Sequence, residues 1–150
     1  MMKFDYLTDE SEKTLAPFFS PMMLTKYILR DMLLNKVAGN IIHISSISAH
    51  TGYKGLAMYA STKGALEAFS KNTAREWGEL GIRSNTVCPG FMDTDMSSAL
   101  SEDQMTRIFK RNSMKNQISI NSVSETVSFL IGEGAASVTG QVIHVDNGTI

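Results

Sequence analysis

The sequence predicts an α/β protein in which helices alternate with parallel strands. Three observations predict it. The run Ile41-Ile42-His43-Ile44 is β-branched and lacks polar alternation, the pattern of a strand buried on both faces. Leu66, Phe69, Thr73 and Trp77 fall at i, i+3, i+7 and i+11, one stripe of a helix. Pro89-Gly90 ends the strand-like run over 82–88 sharply.

In chain order, residues 1–14 are polar and charged without a period, and 1–17 read as a poorly defined N-terminal segment. Proline suits a first helical turn, so a helix is expected from Ser20-Pro21 to about 37. Leu24, Tyr27, Ile28 and Leu34 would form its apolar face, and Gly39 its stop. A strand over 40–46 and a glycine-containing loop over 47–57 follow. The striped helix spans 59–77, and Gly78 and Gly81 end it. Beyond the second strand, 91–120 is loop-rich, with a helix near 101–111 behind the N-cap candidate Ser101. Ser122 and Glu125 have capping-box spacing and should open a helix to about Ile131. A third strand covers 141–145. Right-handed crossovers lay the three strands side by side, a small sheet that reads as part of a larger one.

A hydrophobic content of 43% argues against disorder. A net charge of -1 gives no electrostatic reason to expect a nucleic acid or an anionic membrane as partner. The lone Cys88 cannot close an internal disulfide, which fits a reducing cytoplasm. The first residues lack the apolar core of a signal peptide, and no apolar run approaches a membrane span. The expectation is a soluble cytoplasmic protein. His43, His50 and His144 show no metal-ligand spacing, so no metal is expected. Cys88 reads as a buried small hydrophobe, Asp93 and Asp95 as solvated loop carboxylates. Arg107-Ile108-Phe109-Lys110-Arg111 reads as a solvated helix face.

Tyr59 and Lys63 carry the chemistry. Four residues apart on a helix, they share a face. A free phenol titrates near 10, too high for a general base near neutrality, and a nearby ammonium favours the phenolate. The spacing therefore makes a tunable acid/base. Alone it is weak evidence, because a surface pair has the same spacing. Ser46 stands 13 residues upstream at a strand's carboxyl end, and Pro89-Gly90 follows the next strand. Ligand sites of open parallel sheets lie at that rim.

Together, Ile41-Ile42-His43-Ile44-Ser45-Ser46, Tyr59-Ala60-Ser61-Thr62-Lys63, Asn85-Thr86-Val87-Cys88-Pro89-Gly90 and the stretch 139–148 resemble the short-chain dehydrogenase/reductase family. The likeness is greatest to its 3-oxoacyl-acyl-carrier-protein reductase branch and covers about 18–148. It implies one partial NAD(P)-binding domain over 1–150, the C-terminal part of a Rossmann-type doubly wound parallel sheet. It implies Tyr59 as catalytic acid/base, Lys63 as its tuner and ribose contact, and Ser46 as the hydroxyl that polarises a carbonyl. Ser45 is the neighbouring alternative. Pro89, Gly90, Met92 and Thr94 match the segment that holds the nicotinamide end of NAD or NADP. The implied reaction is hydride transfer to a ketone or 3-oxoacyl thioester. The region 91–120 would form the substrate lid.

The sequence also departs from the family. The glycine-rich phosphate turn and the NNAG signature have no counterpart. Thr51-Gly52-Tyr53-Lys54-Gly55 has the wrong place and spacing, and Gly132-Glu133-Gly134 lacks a third glycine. No asparagine lies near Pro17, where the family places one that relays protons. The chain therefore matches the second half of the fold, and the expectation is a truncated, impaired reductase. The alternative is a non-catalytic fragment that acts by association with another subunit, or has no function. Homo-oligomerisation is expected through the helices near 21–36 and 59–77, aided by an uncovered strand edge.

Overall fold

The computed structural model describes residues 10–92 and 102–149. Three parallel strands make one sheet: β1 (Gly39–Ile44), β2 (Ile82–Pro89) and β3 (Val142–Val145), in spatial order β1-β2-β3. The helices are α1 (Glu10–Asn35), α2 (Ala57–Trp77), α3 (Glu102–Phe109) and α4 (Ile120–Ile131). Because strand side chains alternate between faces, the register sorts the residues. Gly39 pairs with Ile82, Ile44 with Val87, and Cys88 with His144. Odd-numbered residues of β1 and even-numbered residues of β2 therefore share one face. Leu29 of α1 packs there on Ile41 and Ile82, with Trp77 of α2 against them. The opposite face joins Val87 to Leu130 and Ala135, with Ile42, Val127 and Ile143 around them.

The first helix departs from the sequence expectation. It begins by Glu10 and carries both Pro17 and Pro21 inside it. Proline normally breaks a helix by removing a backbone donor and clashing one turn back. Here the proline-containing stretch packs on α2, where Phe18 meets Phe69 edge-on at 6.4 Å. The expected apolar face is also wrong: Leu24 (60% exposed), Tyr27, Ile28 and Leu34 (69%) face outward. Thr25 and Leu29 are buried instead. Nor is Gly39 the stop. The helix ends where Lys36 takes a left-handed conformation (φ 54°). Val37 N–H then bonds Met32 C=O at 2.9 Å and Lys36 N–H bonds Leu33 C=O at 3.3 Å, a Schellman pattern.

The other elements hold with small shifts. The stripe of α2 packs as expected, with Leu66 and Thr73 buried. Gly81 closes the turn after α2 at φ 74°. The capping-box reading of Ser122 fails. Ser119 is extended (ψ 135°) and accepts from Asn121 N–H, so α4 opens one turn earlier and Ser122 lies within it. Ser101 lies outside the described residues. Strand β1 is only half-buried, because no strand among the described residues pairs with its outer side.

Candidate active site

Parallel strands bring Ile44, Pro89 and Val145 to one rim. Ser45 N–H adds one more sheet bond, to Val87 C=O at 2.8 Å, and the chain then leaves β1. Ser46 (φ -159°, ψ 146°) caps the 3-10 turn Ile47–Ala49. Its Oγ accepts from Ser48 N–H at 3.2 Å and from Ser48 Oγ–H at 3.1 Å. With both lone-pair regions engaged, the Ser46 hydroxyl proton is left to donate outward.

The neighbouring Ser45 differs. It is buried on the α2 face and donates to the Glu67 carboxylate. Glu67, itself buried, also meets His50 Nε2 at 3.0 Å. Ser45 is thus committed to an internal network, and Ser46 is the half-exposed hydroxyl of the two. Glu67 has a signal in the sequence. Tyr59, Lys63 and Glu67 step by four along one helix face.

Tyr59 lies in the first turn of α2. The Lys63 Nζ sits 5.7 Å from the centre of its ring, within cation–π range. The same ammonium donates to Ile44 C=O at 2.8 Å, the last residue of β1. Partial burial pulls the lysine below its usual titration range. Among the described residues this is its one hydrogen bond, which leaves two N–H donors for other partners. Beside this lysine, at the outer edge of β1, lies a groove of about 470 Å³ whose walls include Leu24, Ile28 and His43.

Pro89 ends β2, and Gly90 N–H bonds Val145 C=O at 2.9 Å. A Cβ at Gly90 would meet the Asp146 Cα at 2.9 Å and the Ile118 Cδ1 at 2.5 Å, so only glycine lets these segments close. Met92 is half-buried, whereas Thr94 lies outside the described residues. Cys88 is buried, as expected. Burial, then the Glu67 and Asp146 carboxylates, push its thiol up to about 12, against a lowering contact from Ser45. Cys88 is therefore no thiolate nucleophile near neutrality. Three side chains that the sequence reading kept apart come together. Donor atoms of His50, Cys88 and His144 lie within 4.8 Å of one another.

A family pattern described as enoyl-(acyl carrier protein) reductase matches residues 11–149. The chain belongs to the short-chain dehydrogenase/reductase family. It is 37% identical over 147 residues to the 3-oxoacyl-acyl-carrier-protein reductase FabG of Salmonella typhimurium and to that of Escherichia coli. Those alignments cover 98% of this chain and 59% of each relative, so the chain spans less than two thirds of their length. Among solved structures, a short-chain type dehydrogenase/reductase from Mycobacterium ulcerans is 28% identical with a TM-score of 0.87. The match covers 93% of this chain and 51% of that one. A gluconate 5-dehydrogenase from Burkholderia cenocepacia, in complex with NADP and tartrate, has a TM-score of 0.90. Its match covers 99% of this chain and 59% of that one; at 24% identity it shows the fold alone. The three strands and their helices are the C-terminal part of a Rossmann-type sheet. The earlier βαβ units of that fold have no counterpart in these 150 residues. No described helix is long and apolar enough to cross a membrane.

Proposed function

We propose that this chain carries the carbonyl-handling half of an NAD(P)H-dependent short-chain reductase that acts on a ketone or 3-oxoacyl thioester. The observation that carries this reading is the lysine bridge. Lys63 Nζ bonds Ile44 C=O at 2.8 Å while lying 5.7 Å from the Tyr59 ring, and Ser46 follows two residues later. Helix α2 is thereby fastened to the end of β1 that presents Ser46.

The available residues fit the nicotinamide end of such a cofactor. Lys63 has two free N–H donors of the kind that hold ribose hydroxyls, and Pro89, Gly90 and Met92 border the same rim. When bound, the nicotinamide supplies the hydride. Ser46 donates its free O–H to the substrate carbonyl oxygen and orients it. Tyr59 gives its phenolic proton to that oxygen as negative charge develops there. Lys63 keeps positive charge beside the phenol. No glycine-rich turn is present to receive the pyrophosphate, so nucleotide affinity of this chain alone is expected to be weak.

The test is NADPH- and NADH-dependent reduction of a 3-oxoacyl thioester, with nucleotide binding followed by fluorescence. Tyr59→Phe should lower turnover about 100-fold or more, with binding retained. Unchanged turnover in that variant would sink the assignment. A second reading has its own support. The outward apolar residues of α1 and an edge of β1 that no described strand pairs favour an associating, non-catalytic chain, either a homo-oligomer or a partner of another subunit. A folded chain that binds no nucleotide, yet runs as an oligomer by gel filtration, would favour it.

A further inference from the structure

We propose that His50, Cys88 and His144 form a binding site for a zinc-class divalent cation, with Glu67 orienting His50. The three donors come from the turn after Ser46, from β2 and from β3, and lie within 4.8 Å of one another. Tetrahedral zinc with thiolate and imidazole ligands places its donor atoms about 3.3–3.7 Å apart. The donors would have to draw together by about 1–1.5 Å at most to reach that spacing. Sulfur with two imidazoles selects zinc-like ions over magnesium or calcium, which take oxygen donors.

Three further observations point the same way. His144 Nδ1 is buried and has no hydrogen-bond partner among the described residues, in a place where polar atoms are normally satisfied. The His50 and His144 rings meet nearly perpendicular at 4.6 Å, with neither stacked away from the other. His50 Nε2 contacts the Glu67 carboxylate at 3.0 Å. Metal-bound histidines commonly give their second ring N–H to a carboxylate, which leaves Nδ1 of His50 to face the cation.

The local charge also favours a cation. The Glu67 and Asp146 carboxylates both act on Cys88, and a thiolate there would add a further negative charge. On binding, a Cys88 S–H bond is exchanged for a sulfur–metal bond, and the proton leaves to solvent. The side chain of His50 is 29% exposed, which provides an entry path. Three protein donors leave the fourth tetrahedral position to water. A bound ion would pin the Ser46 turn to β2 and β3. It sits on the face where Ser45 and Cys88 meet Glu67, so it would stiffen the floor beneath Ser46.

The experiment is a Co²⁺ titration of the untagged chain, followed by thiolate-to-cobalt charge-transfer absorption. Cys88 is the sole cysteine, so no other thiolate can produce the band. The expected result is saturation at one Co²⁺ per chain, with displacement by Zn²⁺ and a raised melting temperature. His144→Gln should weaken binding at least tenfold, and Glu67→Gln about 10–100-fold. Cys88→Ser should abolish the band. If that buried change unfolds the chain, the more exposed His50→Gln supplies the comparison, with its fold checked by circular dichroism. Absence of a charge-transfer band overturns the proposal, as does unchanged affinity in both histidine variants.

Discussion

Strands β1 and β2 lie side by side, and their environments differ. In β2, Ser84, Asn85, Thr86, Val87 and Cys88 are fully buried. The Asn85 amide is used at both ends, donating to Val138 C=O at 2.8 Å and accepting from Gln141 N–H at 3.0 Å. In β1, Ile44 is 43% exposed, and Gly39, Asn40 and Ile42 are only partly buried. The helices repeat the contrast. Leu130 of α4 is wholly buried over β2, whereas Leu24 of α1 stands in the open beside the β1 groove. Apolar sequence marks a surface that can be buried. Which surface is buried depends on the neighbours the fold supplies.

The contrast is tested most strongly by truncating one leucine on each side. Leu130→Ala should cost about 3 kcal/mol in urea denaturation, from lost burial plus the cavity left behind. Leu24→Ser should change stability by about 0.5 kcal/mol or less and reduce self-association in gel filtration. If Leu24→Ser costs as much as Leu130→Ala, the face of α1 is covered in solution and the contrast breaks.

His43 sharpens the comparison through pH. Burial lowers its pKa from 6.5. The unfolded chain then takes up the proton first as pH falls, so stability is lost below about 6.5 and levels off below the folded value. The slope from this one site cannot exceed about 1.4 kcal/mol per pH unit. His43→Gln should flatten it in denaturant melts followed across that range. A slope that survives the substitution would place the titration elsewhere.

The smallest effect lies where α1 hands over to β1. Lys36 occupies a left-handed position that glycine adopts freely. Lys36→Gly should raise stability by about 0.5 kcal/mol, the relief of strain less the added freedom of the unfolded chain. A loss would show that the lysine side chain contributes more to this corner than its backbone costs.

Much of the fold was legible because it rests on local rules. The period of α2 and the turn at Pro89-Gly90 are local properties, and the strand positions followed from them. The start of α1 was not legible, because Pro21 reads as a first-turn residue, whereas the helix runs through both Pro17 and Pro21 and packs Phe18 on Phe69. Its buried face was misread because Leu24 and Leu34 are as apolar as Leu29, and only the position of β1 and α2 separates them. In the candidate site, Tyr59 and Lys63 were visible as a helical pair, and Glu67 continues the same step. The internal commitment of Ser45 to Glu67 was invisible, since it depends on which face of β1 meets α2.

The sequence by itself determined the α/β order of elements, the family and the residue types at the rim, because spacing along one helix or strand is a property of the chain alone. Only the tertiary structure decided that Ser46 keeps a free hydroxyl proton while Ser45 does not, and that His50, Cys88 and His144 converge. The reason is that parallel register sets Cys88 beside His144 and the turn after β1 brings His50 to both, joining residues up to 94 positions apart.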